Sequence, residues 1–257
     1  SAVIEYPVKT AADLKVVQDI FARREYYPNP EGFLRQSERI GEAGYPICAV
    51  PRSPLPALMT DWCGVINTCY LLADETAAVE DTLAIIDRSN DAAFEAICAG
   101  PAELLHFCDN LDANNYTSLF DAYLREYYTR RLAQIHAAGK VATTHLDGFV
   151  RGLLPKLVAV GFDSVESITP APVGDVAIEE LRGLCGQAKT IIWGGIPGAM
   201  FAPPWTAGQV REHTLRLLDE FGPDNRLVVG SADQVPPNGD IRYCSLIADT
   251  IAAWAGS

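Results

Sequence analysis

The stretch Lys140–Phe149, KVATTHLDGF, reads as a buried strand that stops at a histidine, an aspartate and a glycine. Val141, Ala142, Thr143 and Thr144 suit a strand interior. His145 and Asp147 are two apart, so both side chains leave the strand on the same side. Polar groups at the C-terminal end of an otherwise apolar strand mark a rim where chemistry is done, a metal site, or a hydrogen-bonded strand end.

Five further strand-like runs surround it, at 45–51, 103–109, 163–169, 189–195 and 226–233, with helix-like segments between them. Alternating strands and helices point to a parallel α/β fold. Four of the six runs lack polar/apolar alternation, as strands covered on both faces do. Thr10 is expected to cap a helix over 11–25, Asp74 a long helix that follows it, and Thr117 another that Gly139 ends.

An open dinucleotide-binding sheet would carry GxGxxG after its first strand. The Gly-rich turn GGIPG (194–198) comes late and has the wrong spacing. Polar residues instead gather at several strand ends: Asp109, His145 with Asp147, Glu166 with Thr169, and Asp233. That pattern favours a (β/α)8 TIM-type barrel, in which the C-terminal rim carries the active site. With six strands visible and helical or irregular sequence before residue 45, the barrel is expected to be incomplete at its N-terminus. One domain over 1–257 is expected.

The net charge of −13 gives no electrostatic reason to bind nucleic acid or an anionic membrane. No apolar run reaches the roughly 20 residues needed to span a bilayer. Seven cysteines at scattered spacings, with no CxxC pair, read as reduced, mostly buried thiols in a cytoplasmic protein. A thiolate zinc cage is not expected from them.

The ordered series of segments resembles the uroporphyrinogen decarboxylase superfamily, closer to its corrinoid-dependent methyltransferase-like branch. EYPVKTAADL (5–14) resembles the lead into the first surface helices. SPLPALMTDWCGVINTCYLLADETAAVEDTL (53–83) resembles the region after an early barrel strand. LLHFCDNLDANNYTSLFDAYLREYYTRRLAQIHAAGKVATTHLDG (104–148) is similar to the branch's acidic strand end, long helix and His-x-x-Gly strand. VGFDSVESITPAP (160–172) and VVGSADQVPPNGD (228–240) resemble later strands. The resemblance implies a barrel enzyme that transfers a methyl group from a small methylated substrate to a corrinoid or related acceptor. It also implies a homodimer and a corrinoid protein as partner. Decarboxylation of a tetrapyrrole is the alternative within the superfamily. An inactive, ligand-binding barrel is the alternative outside catalysis.

Two departures bear on the chemistry. The arginine-rich motif and early aspartate of true decarboxylases are not present. Where the methyltransferases show H-x-C-G and a later cysteine for zinc, this sequence has His145-Leu146-Asp147-Gly148 and Asp233. The metal set expected is His145, Asp147 and Asp233, one nitrogen with carboxylate oxygens, suited to zinc or a harder divalent ion. Without metal, His145 beside a carboxylate is a proton donor or acceptor near neutral pH.

The catalytic candidates are His145, Asp147, Glu166 and Asp109, with Trp193 as an aromatic wall for a bound cofactor. His213 reads as a surface residue, and GAMFAPPWTAG (198–208) as a lid over the barrel mouth.

Overall fold

The structure, a computed structural model, describes residues 5–256. The chain divides into two compact units, one formed by residues 1–109 with 121–142 and the other by 110–120 with 143–257.

In chain order, α1 (Ala11–Ala22), α2 (Pro30–Ile40), β1 (Cys48–Ala49), α3 (Pro54–Ala57), α4 (Val65–Asp74), α5 (Thr76–Ala99) and β2 (Leu104–Leu111) come first. A π-helical turn over Leu58–Trp62 extends α3. Next come α6 (Ala113–Tyr116), α7 (Phe120–Tyr123), α8 (Arg125–Ala137) and β3 (Val141–Leu146). The remainder alternates as α9 (Leu154–Val160), β4 (Ser164–Ile168), α10 (Ile178–Cys185), β5 (Ile191–Pro197), α11 (Ala207–Phe221), β6 (Leu227–Ala232) and α12 (Tyr243–Ala255). All six expected strands form.

In the first unit β1 pairs in parallel with β2, Cys48 opposite Leu105. Helix α1 starts as expected from a capping box of Thr10 and Asp13 and lays Leu14, Val17 and Phe21 against α5. The core also holds a charge. Arg131 is 1% exposed, donates to Asp87 and Asp91 at 2.7 Å each, and stacks 4.5 Å from the Phe94 ring. Burying a guanidinium is tolerated only with partners of this kind.

In the second unit β3, β4, β5 and β6 pair in parallel, each with its neighbour in sequence. Thr143 lies opposite Ser164, Ser164 opposite Ile191, and Ile192 opposite Leu227. Helices α9, α10 and α11 occupy the connections, and α11 packs on α12. Val165, Ile168, Ile192, Ile196, Leu217 and Leu218 build the core. Strand β6 pairs with β5 alone among the described residues.

Two local expectations are corrected. Asp74 ends α4 rather than capping α5; one non-helical residue, Glu75 (φ −136°, ψ 42°), breaks the chain between the two helices. Thr117 caps nothing: its backbone is already helical and its buried hydroxyl lacks a hydrogen-bond partner. Asp112 is the cap, accepting from the Asn114 and Asn115 amides at 2.9 and 3.1 Å, and the long helix begins only at Arg125.

All seven cysteines are free, but only Cys63 and Cys185 are buried, and Cys69 and Cys244 are exposed. No helix among the described residues is long and apolar enough to cross a membrane.

Candidate functional site

Strand β3 delivers His145 and Asp147 as its parity demands. The Asp147 amide donates to the Leu111 carbonyl at 2.6 Å, which fixes the strand end. Gly148 then turns the chain at φ +55°, a conformation that favours glycine. Beyond it, Asp175 accepts from the amides of Val150 and Arg151 at 2.8 and 3.2 Å and holds the following loop in place.

Strand β4 supplies Glu166, directly opposite His145 in the register. Ser167 follows at φ +70°, where the β4–β5 register shifts, so Glu166 is the last residue of the regular strand. Strand β6 ends at Ala232, and Asp233 leaves it at φ +66°.

These elements bring His145, Asp147 and Glu166 into contact. Nε2 of His145 lies 2.8 Å from Asp147 Oδ1, and Nδ1 is hydrogen-bonded to the Glu166 carboxylate. The side chains are 18%, 31% and 21% exposed respectively, so water screens the charges only in part. Burial alone would pull the imidazolium down. The hydrogen bonds and charges of Asp147 and Glu166 outweigh it, and the His145 pKa is pushed up to about 10. At that value a proton sits on each ring nitrogen at neutral pH.

Asp233 joins from β6: ligand atoms of His145, Asp147 and Asp233 lie within 4.8 Å of one another. The three border a cavity of about 370 Å³, which Asn110, Thr169, Val173 and Gln234 also line.

The other two candidates lie elsewhere. Asp109 belongs to the first unit, is fully buried and does not line the cavity. It accepts from the Ser53 amide (2.8 Å), the Ser53 hydroxyl (2.5 Å) and the Tyr128 hydroxyl (2.7 Å). Burial raises its pKa, with these hydrogen bonds opposing. Trp193 is half-buried on β5 and is not among the cavity residues.

His213 corrects an expectation: it is buried on the inner face of α11, with Nε2 2.7 Å from the Gly195 carbonyl. The stretch expected as a lid is instead pinned, with Met200, Phe201 and Ala202 buried and the Phe201 carbonyl accepting from the Asp240 amide at 2.6 Å.

Two polar cavity residues were not among the expected site residues. Asn110 stands at φ +50°, a backbone that asparagine tolerates, and its position directly after an acidic strand end was the available signal. Gln234 follows Asp233 and carries no signal of its own.

The residues present suit a divalent ion. Nε2 of His145 with carboxylate oxygens of Asp147 and Asp233 is a mixed nitrogen/oxygen donor set. Glu166 on Nδ1 is the outer partner that fixes the tautomer of a ligating histidine.

No protein-family model and no curated protein sequence matches the chain. Among solved structures it is similar to a methyltransferase from Methanosarcina mazei, with a TM-score of 0.67 over 97% of this chain and 70% of that one. The sequences are 14% identical, a likeness that shows the fold alone.

Proposed function

We propose that the chain is a methyltransferase-like enzyme built on a (β/α)8-type barrel, moving a methyl group from a small substrate to a corrinoid or related acceptor. The observation that carries this reading is the His145–Asp147–Glu166 contact, with Asp233 beside it, at the C-terminal ends of parallel strands. The fold likeness to a methyltransferase supports it. The superfamily resemblance supplies the corrinoid, a corrinoid protein as partner and a homodimeric state. The free thiols support a cytoplasmic setting.

In this reading His145, Asp147 and Asp233 hold a divalent ion, zinc or a harder one, that supplies Lewis acidity toward the leaving or accepting atom. Glu166 keeps the His145 ring in place through Nδ1. In the metal-free state the same residues hold a proton at Nε2, which Asp147 accepts as a hydrogen bond. Tetrapyrrole decarboxylation is disfavoured because, among the described residues, no lysine or arginine lines the cavity to meet several substrate carboxylates.

The test is metal analysis of the purified protein beside Asp147→Ala, followed by methyl transfer to cobalamin from methylated donors. About one ion per chain in the parent, lost in the variant, with cobalamin methylation, is expected. A folded parent that binds no divalent ion and methylates no corrinoid overturns the reading and leaves a ligand-binding barrel.

A further inference from the structure

A second cavity, of about 350 Å³, opens in the second unit between the β4–α10 loop and the start of α11. It shares no lining residue with the His145 cavity. Pro172 borders it from the loop, Met200 and Trp205 from the segment after β5, and Glu212, His213 and Arg216 from α11. His213 is the deeply buried polar group among these, 4% exposed. Its Nε2 lies 2.7 Å from the Gly195 carbonyl oxygen. A carbonyl oxygen can only accept, so Nε2 carries the proton. Burial lowers the pKa of the ring, which keeps a second proton off it at neutral pH. Nδ1 is therefore a lone-pair acceptor. It makes no hydrogen bond among the described residues and is not closed off from solvent, and the space its ring borders is this cavity.

An acceptor left open in this way calls for a donor. One water could supply it, but much of the remaining wall gives water nothing to bond. Met200 is buried, Trp205 is half-buried, and both present apolar surface together with the Pro172 ring. An indole, a thioether and a pyrrolidine ring suit a flat, apolar body. The volume lies at the lower end of small-molecule sites, roughly the space of two fused rings. Charge is not what the border offers. Arg216 is committed to Glu179 at 2.6 Å, and Glu212 is exposed, so water screens its carboxylate.

We infer that this second cavity binds a small, uncharged, planar heteroaromatic molecule, which lies against Trp205 and Met200 and donates a ring N–H to Nδ1 of His213. Nothing in this site depends on a metal or on methyl transfer at His145.

Indole and 1-methylindole are the probes, because they share a flat apolar body and differ in whether the ring nitrogen donates. Each is titrated into the full chain while the amide NMR signals of Ala177 and Trp205 and the imidazole nitrogen signals of His213 are followed. Before any addition, His213 is expected to show a protonated Nε2 and an unprotonated Nδ1. Indole should saturate the shifts in the millimolar range and move the Nδ1 signal upfield. 1-Methylindole should bind about threefold to tenfold more weakly and leave Nδ1 where it is.

His213→Gln keeps an N–H donor within reach of the Gly195 carbonyl and removes Nδ1. It should bring indole down to the affinity of 1-methylindole. Trp205→Ala should weaken both probes alike. Equal affinity for the two probes in the parent overturns the proposal. So do a proton on Nδ1 in the free protein, a failure of indole to saturate, and an Nδ1 signal that indole leaves unmoved. All of these are read on the parent chain, so they hold even if His213→Gln does not fold. Neither turnover nor metal content enters the titration, so an inactive protein sinks the methyltransferase reading alone, and equal binding of the two probes sinks this site alone.

Discussion

His145 and Glu166 stand opposite each other on β3 and β4, and the Glu166 carboxylate accepts from Nδ1 while Asp147 accepts from Nε2. Both ring nitrogens are thus tied to carboxylates, and His145 titrates at about 10 instead of 6.5. Its folded value is raised, so the stabilisation it contributes is complete below 6.5 and is lost as pH rises through about 10. Chelator-treated protein should lose stability to denaturant across that window, with the imidazole NMR signals titrating together. Glu166→Gln and Asp147→Asn should each move the midpoint downward and shrink the loss. An imidazole that titrates near 6.5 in the parent would show that the two carboxylates do not hold it.

Proton and metal compete for Nε2 if the site binds a divalent ion. Each ion bound then releases the Nε2 proton, and apparent affinity should rise about tenfold per pH unit between roughly 6.5 and 10. Calorimetry with zinc or manganese in buffers of different ionisation heat measures the released proton directly. Glu166→Gln, which leaves the three ligands in place, should flatten this dependence. A pH-independent affinity would place the ion away from His145.

The strands were legible because covered parallel strands announce themselves as apolar runs, and the clustering of His145, Asp147, Glu166 and Asp233 was legible because they interrupt such runs at their ends. Helix starts were less so. Asp74 and Thr117 have the chemistry of caps, but Asp74 was already the last residue of a helix and Asp112 had two amides within reach before Thr117 did. His213 was misread although its signal was present. Val210, His213, Thr214, Leu217 and Phe221 recur at helical spacing on the buried face of α11. Asp109 looked like a rim carboxylate because the sequence shows where a strand ends but not what covers that end. Ser53 and Tyr128, distant in sequence, enclose it.

That enclosure predicts a structural role for Asp109. Tyr128→Phe removes one donor from a fully buried carboxyl and should cost about 1–3 kcal/mol in denaturant unfolding. Ser53→Ala removes the hydroxyl donor but keeps the backbone donor, and should cost less than or about the same as Tyr128→Phe. The Gly148 and Gln234 amide signals beside His145 should stay where they are in both variants. Movement of those signals would assign Asp109 to the site after all.

Gly198 links the pinned 198–206 segment to the cavity. A Cβ added there would lie 2.1 Å from the Gln234 carbonyl oxygen, far inside contact distance, and both residues line the cavity. The obstacle is backbone rather than a flexible side chain, so Gly198→Ala must displace the turn that follows Asp233 or push the 198–201 turn away. Overpacking of this kind costs about 1–3 kcal/mol. Because Asp233 is the neighbour of the displaced residue, the variant should lose bound ion along with stability. Gly208→Ala is the matched control, since a Cβ there meets only the Thr206 hydroxyl at 3.9 Å and sits in a helix that favours alanine. Comparing the two by thermal unfolding and by the Gln234 amide shift separates a local steric effect from general sensitivity of the segment. Equal stability in both variants would mean that Gly198 and Gln234 do not approach as closely as described.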